Sequence, residues 1–356
     1  MTRTPPPKPQ RPSPPNSPPR RSGQPDEEFA PKPYEFIPFP KTSPTLDRPA
    51  GHDQYRPELL HGTLFLTLTV KTAVHVSTGI VVMGSDIGNN RIPLIKTMVQ
   101  DNDQKLSIQG SSLKGCIRSV YEAITNSTLA VITSRYRSQI PPDRLPCRRK
   151  EELCPASRVF GALDWQGLIE FSDAKCQNTG FATGFMPSLY HPRSSAYSTQ
   201  GKVAGRKFYY HAVRAIDKGQ NQGIPVQEAA KEYTFTTELH FKNLKGAELG
   251  TLLVVLGQDP EYPIALKVGG GKPIGMGTMT VTVNAIDRTE GKQSLRDRYS
   301  SYTVSEAEHL TGKGLQQFIR QVIQEAHENL IEQFQLEQLV TVLLYPTERE
   351  PPTGMY

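Results

Sequence analysis

The sequence predicts an α+β fold: a ferredoxin-like (RRM-like) sheet with two helices on one face. Three observations carry this. Leu64, Leu66, Leu68 and Val70 alternate with Thr63, Thr67 and Thr69, the period of a half-buried strand. Leu113, Ile117, Val120, Tyr121 and Ile124 recur at helical spacing after a glycine-serine junction. Such elements repeat along the chain in the order β-α-β-β-α-β, the plan shared by many RNA-recognition modules.

In chain order, the first strand is followed by a helix opening near Ser111. Strands come next at 167–174 and 233–242. A second helix carries Leu244, Leu249, Leu252, Leu253 and Leu256, and the last strand runs from Thr278 to Ala285. The connections at about 77–107, 126–157 and 175–232 exceed what a minimal domain needs, so they read as functional insertions in a domain spanning 60–290. Beyond it, at 300–345, Leu315, Phe318, Ile319, Val322, Ile323, Ala326, Leu330, Ile331 and Phe334 mark one long amphipathic helix, a C-terminal extension expected to pack on its own domain.

The start of the chain is a separate object. The first fifty residues hold 16 of the 31 prolines, with Arg11, Arg20 and Arg21 among them. So few apolar side chains cannot offset chain entropy, and 1–55 is expected to be a disordered tail with polyproline character. The net charge of +6 favours an acidic partner such as nucleic acid. No apolar run approaches the roughly 18 residues of a membrane helix, and no signal-peptide pattern opens the chain. The expectation is a soluble, cytoplasmic protein with no membrane partner.

Two glycine loops stand out. Gly110, Ser111 and Ser112 lead into the first helix, where either serine can cap the end and leave N–H groups facing an anion. Lys114 and Arg118 lie four apart, on one face of that helix, with Glu122 a turn further on. Downstream, Gly269, Gly270, Gly271, Lys272, Gly275 and Gly277 form a second loop that runs into a strand. Neither loop has the spacing of a dinucleotide fingerprint or a Walker motif. Two loops with central lysines point to a shared surface for a polyanion backbone.

Together these loops resemble the signature of the RAMP superfamily, the ferredoxin-like RNA-binding subunits of CRISPR effector complexes. Three further stretches carry the resemblance: Arg158–Leu163 followed by Gly167–Ala174, Gly205–His211, and Asn243–Leu244 through Leu256–Gly257. The chain is most similar to the Cas-seven family (Csm-three-like) of type III complexes, in the III-D branch. The resemblance implies a subunit that binds guide crRNA and positions complementary target RNA in antiviral defence. Its partners would be a large signalling subunit and neighbouring RAMP subunits. The implied RNA contacts are the two glycine loops with Lys114 and Arg118, together with His75, Arg158, Arg206 and Lys207. In the third insertion His191, Arg193, Tyr197, Lys202, Tyr209, Tyr210 and His211 add cations and aromatics suited to backbone neutralisation and base stacking.

Two further expectations follow from the resemblance. An aspartate in the loop after the first strand cuts target RNA in related subunits with a divalent ion, Mg2+ or Mn2+. Here Asp86 is the only acid in that stretch, while alignment on Ile92-Pro93 puts Arg91 at that position. Cys147 and Cys154 lie where such subunits carry a structural Zn2+, which needs four N or S ligands. A partial zinc site and free thiols both remain open. An active endoribonuclease and an RNA-independent scaffold are the alternative functions.

Overall fold

The computed structural model describes residues 33–187, 198–199, 201–203, 205–216, 223–289, 296, 300 and 308–352. Its principal elements are β1 (Tyr34–Ile37), β2 (Leu60–Val70), β3 (Ser77–Met83), β4 (Leu94–Met98), β5 (Ser107–Ile108), α1 (Gly110–Ile124), α2 (Pro155–Phe160), β6 (Ile169–Phe171), β7 (Ala174–Cys176), β8 (Ala182–Pro187) and β9 (Arg206–Tyr209). They continue with β10 (Gly223–Glu228), β11 (Thr234–Leu244), α3 (Gly246–Val255), β12 (Leu266–Lys267), β13 (Thr278–Thr289), β14 (Glu308–Leu310), α4 (Gly312–Asn329) and α5 (Gln333–Leu343).

The central sheet runs β12-β13-β2-β11-β7-β5, with β6 also paired to β11 and β14 to β13. Its middle four positions, β13, β2, β11 and β7, are antiparallel neighbours in the 4-1-3-2 order of a ferredoxin-like fold. Leu239, Leu64 and Ile286 sit opposite one another on β11, β2 and β13, all fully buried beneath the helices. The apolar stripe of α1 is buried as its spacing predicts. On α3, Gly250 lies so close to α4 that a Cβ there would stand 1.8 Å from the Val322 carbonyl oxygen, so the helices meet nearly backbone to backbone.

Two expectations are corrected, and one is extended. Residues 1–32 lie outside the described residues, but the chain from Pro33 is ordered into the fold. Tyr34–Ile37 pairs with Arg206–Tyr209, and the buried Arg144 donates to the Pro40 and Thr42 carbonyls at 2.7 and 2.5 Å. Those bonds supply the stabilisation that proline-rich composition alone lacks. The long C-terminal helix is two helices. Between them Ile331 bridges to Thr125, and the Glu332 N–H donates to the Ile124 carbonyl at 2.8 Å, so bonds to the end of α1 replace helix continuation. Finally, the first and third insertions fold together, as β8, β10, β4 and β3 make a second, four-stranded sheet.

Candidate nucleic-acid interface

The downstream glycine loop wraps the chain just after β2. Gly269, Gly271, Gly275 and Gly277 have φ of 76°, 65°, 91° and 93°, a left-handed backbone that side chains resist. The Gly270 N–H donates to the His75 carbonyl at 2.9 Å and the Gly277 N–H to that of Ala73 at 2.8 Å. Beneath the loop, Lys267 Nζ donates to the Gly275 carbonyl at 3.2 Å and approaches Thr278 Oγ1 at 3.3 Å. The Thr72 hydroxyl donates to the same carbonyl at 2.8 Å. Burial, with nearby Lys272 as a second cause, pushes the Lys267 ammonium down to about 7. His211 closes this network through Thr278 at 2.9 Å, and burial holds its pKa down to about 3.

His75 lies under the loop, 1% exposed. Its Nδ1 is 2.6 Å from the Gln227 carbonyl, which can only accept, so Nδ1 carries the proton. Burial lowers its pKa and keeps the ring neutral. Nε2 is then a buried acceptor with no hydrogen-bond partner among the described residues.

At the other glycine junction, Gln109 precedes the helix and neither Ser111 nor Ser112 caps it. The first helical amide, that of Gly110, donates instead to Asp173 Oδ1 at 2.7 Å. Lys114 Nζ donates to the Ile169 carbonyl at 2.7 Å, and burial lowers its pKa, with Arg118 adding to the effect. Arg118 turns to Glu122 at 2.8 Å and to Ser157 at 3.3 Å. The strand that leads into the second loop meets α1: Cys116 Sγ is 3.3 Å from the carbonyl of Lys267, and the Lys272 charge acts on the Cys116 thiol.

Other sequence-predicted contacts are used within the fold. Arg206 pairs with Glu122 at 2.6 Å and donates to the Ser127 and Thr128 carbonyls at 3.1 and 2.9 Å. Arg158 pairs with Asp47 at 2.6 Å and lies 3.6 Å from Glu248. Lys207 sits 4.1 and 4.5 Å from the ring centres of Tyr34 and Tyr209, and burial pushes it down to about 8. His191, Arg193 and Tyr197 lie outside the described residues.

Asp86 is exposed on the helical turn Gly84–Ile87, where Oδ2 accepts the Met83 N–H at 3.2 Å. Among the described residues no group of three or more His, Cys, Asp or Glu is placed to hold a metal. Among the described residues Asp86 would therefore give Mg2+ or Mn2+ fewer than three such ligands, a fit only where RNA phosphates and water complete the shell. The Cys147 and Cys154 donor set does not fit zinc. Thr128 Oγ1 lies 3.5 and 3.3 Å from their sulfurs, the Cys154 N–H donates to Cys147 Sγ at 3.3 Å, and Ser157 is the next neighbour. Two thiols and two hydroxyls fall short of a tetrahedral N/S set. That hydrogen bonding pushes the Cys154 thiol down, while the Cys147 thiol is raised.

A cleft of about 500 Å³ that sequence reasoning missed opens at the opposite end of β2, lined by His52, Tyr55, Thr63, Lys114, Glu170, His240 and Lys242 among others. Its residues come from segments far apart in the chain, so no local spacing announces it. Lys267, the lysine just before the glycine loop, was also passed over; its place two residues ahead of Gly269 was the available signal.

An antiparallel sheet with a 4-1-3-2 core, carrying α1 and α3, defines a ferredoxin-like module. The family model for the RAMP superfamily matches residues 67–280, and the chain belongs to that superfamily. Among solved structures it is similar to a chain of the cryo-EM structure of the type III-B Cmr-beta bound to cognate target RNA, at 14% identity and a TM-score of 0.35. That match covers 64% of this chain and 61% of the other, so the chain spans less than two thirds of that relative. Comparison with curated proteins finds no match. No helix among the described residues is long and apolar enough to cross a membrane.

Proposed function

We propose that this protein is an RNA-binding backbone subunit of a type III CRISPR ribonucleoprotein, gripping guide crRNA and presenting it to complementary target RNA. The observation that supports this best is the contact of α1 with the strand leading into the glycine loop, at Cys116 and Lys267. It brings positive-φ glycine backbone and the partly exposed Lys272 beside α1, while the ammonium of the buried Lys267 is used on the Gly275 carbonyl beneath the loop. A polyphosphate backbone calls for such a combination of glycine backbone and cations without base discrimination. Family membership adds to it. Neighbouring RAMP subunits and a large signalling subunit are the partners this reading requires, and the III-D branch is the subtype the motifs favour.

The test is to purify the full chain with its complex and sequence the RNA that accompanies it. Repeat-spacer guides are expected. Lys272→Ala should weaken guide binding about tenfold at low salt, equally across guide sequences, with a smaller effect at high salt. Purification free of RNA, with partners intact, would favour the scaffold alternative.

A further inference from the structure

At the far end of β2 from the glycine loop, residues 51–56 are stapled across the sheet. Asn243 Nδ2 donates to the carbonyls of Gly51 at 3.0 Å and Gln54 at 2.8 Å, and its Oδ1 accepts the Arg56 N–H at 2.9 Å. Buried His61 donates from Nε2 to the Arg56 carbonyl at 2.8 Å and packs edge-on against Tyr55 at 4.9 Å. The segment is thus a fixed wall.

The opposite wall is Gln166 to Glu170, joined to the first where His52 Nε2 donates to the Gln166 carbonyl at 3.0 Å. The floor is sheet. His240 stands there, held at Nδ1 by Thr63 at 2.9 Å and at Nε2 by Glu238 at 3.4 Å. Lys242 Nζ donates to the His52 carbonyl at 3.3 Å and lies 5.4 Å from the Tyr55 ring centre. A second cleft of about 800 Å³ adjoins the first at His52 and carries Arg48, Arg56, Lys150 and Lys245 against Asp53 and Glu58.

We infer that this paired cleft is a second RNA site, taking one unstacked nucleotide of single-stranded RNA. The base enters beside Tyr55 and His240, and the neighbouring phosphates lie along the cationic second cleft. The inference rests on the RNA-binding reading and extends it to a cleft at the other end of β2 from the Gly269–Gly277 loop, one that shares Lys114 with the first glycine junction. The first cleft has the size of a small-ligand pocket, and its rings are placed by Thr63 on His240 and by His61 and Lys242 on Tyr55. Aromatic planes for stacking, ammonium groups for phosphate, and a wall of backbone and Glu170 to meet base edges are what a nucleotide needs. Seven residue steps of β2, Thr63 to Val70, separate it from the segment the glycine loop wraps, about 23 Å of strand. One RNA strand can occupy both.

The experiment uses the full chain and a fluorescent twelve-nucleotide oligouridylate carrying 4-thiouridine. Photocrosslinks are expected in the peptides holding His52 and Tyr55 as well as in the glycine loop. Tyr55→Ala should weaken binding about tenfold, and Tyr55→Phe should stay within twofold of the intact chain because it keeps the stacking plane. Lys242→Gln and His240→Ala, on partly exposed side chains, repeat the loss if Tyr55→Ala fails to fold. Loss of binding in Lys272→Ala with none in the folded cleft variants overturns the inference and leaves the proposed function standing. Cleft variants that bind RNA normally but no longer join neighbouring subunits also overturn it, since the cleft is then a protein contact. An intact chain and complex that hold no RNA overturn both.

Discussion

The Asp173 carboxylate accepts the backbone N–H of Gly110 at 2.7 Å, so a residue from the edge of the sheet fills the first donor position of α1. The anion site that a glycine-serine helix start suggests is therefore partly occupied from within. Asp173→Ala should cost about 1 kcal/mol of stability, the usual loss for a helix cap. It should also strengthen oligouridylate binding a few-fold at low salt by removing a negative charge at the positive helix end. Chemical denaturation and binding titrations check the two effects separately.

Glu122 joins two guanidinium groups, Arg118 at 2.8 Å and the buried Arg206 at 2.6 Å. Glu122→Ala leaves both without their carboxylate, one of them deep in the protein. Breaking a buried pair costs about 3–5 kcal/mol, and a drop of that order in unfolding free energy is expected. Arg206→Ala should destabilise comparably. If Arg206→Ala keeps full stability and loses only RNA affinity, Arg206 is an RNA contact after all.

Lys267 supplies a pH prediction. Its folded-state pKa is lowered to about 7, far below that of an unfolded lysine. Between these values the unfolded chain binds more protons, so this residue makes stability rise with pH from about 7 upward, by at most ~1.4 kcal/mol per unit. Below pH 7 both states are protonated and the dependence vanishes. Lys267→Met should flatten the curve between pH 7 and 9 relative to the intact chain, as thermal melts at several pH values will show.

The sheet was legible because Leu64 to Val70 and the apolar positions of α1 follow the two periods that burial imposes. The glycine loop was legible because positive φ leaves glycine as the unstrained choice at Gly269, Gly271, Gly275 and Gly277. What escaped were partners distant in sequence. Nothing near Arg206 announces Glu122, 84 residues away, and nothing near Gly110 announces Asp173, 63 residues away. A cation in a loop looks the same in sequence whether it faces phosphate or a buried carboxylate. The helix break at Leu330 was hidden for the same reason, since it is made by a bond to Ile124.

The Cys147 and Cys154 pair yields a metal prediction. Since hydroxyls of Thr128 and Ser157 occupy the places where further thiols would stand, protein purified without chelator should hold well below one zinc per chain. Cys154→Ser should leave that content unchanged. One equivalent, lost in the variant, would mean that ligands outside the described residues complete the site.

The last prediction concerns cleavage. Asp86 is exposed on a turn beside the second sheet, and one of its oxygens accepts the Met83 N–H at 3.2 Å. That bond is local and weak, so Asp86→Ala should leave folding within about 0.5–1 kcal/mol of the intact chain. Guide affinity should also hold, because Asp86 touches no group of the glycine loop or α1. A carboxylate acting on target RNA contributes to the transition state rather than to binding, so its removal lowers the rate without weakening the complex. On the alternative reading of an active endoribonuclease, Asp86→Ala abolishes one cut position in the assembled complex with complementary target RNA and Mg2+ while guide and target remain bound. Arg91, on the same loop, supplies the contrast: Arg91→Ala should weaken target binding and spare the cut. If every cut persists in Asp86→Ala, the carboxylate only holds its own turn, and the subunit's part is to grip RNA.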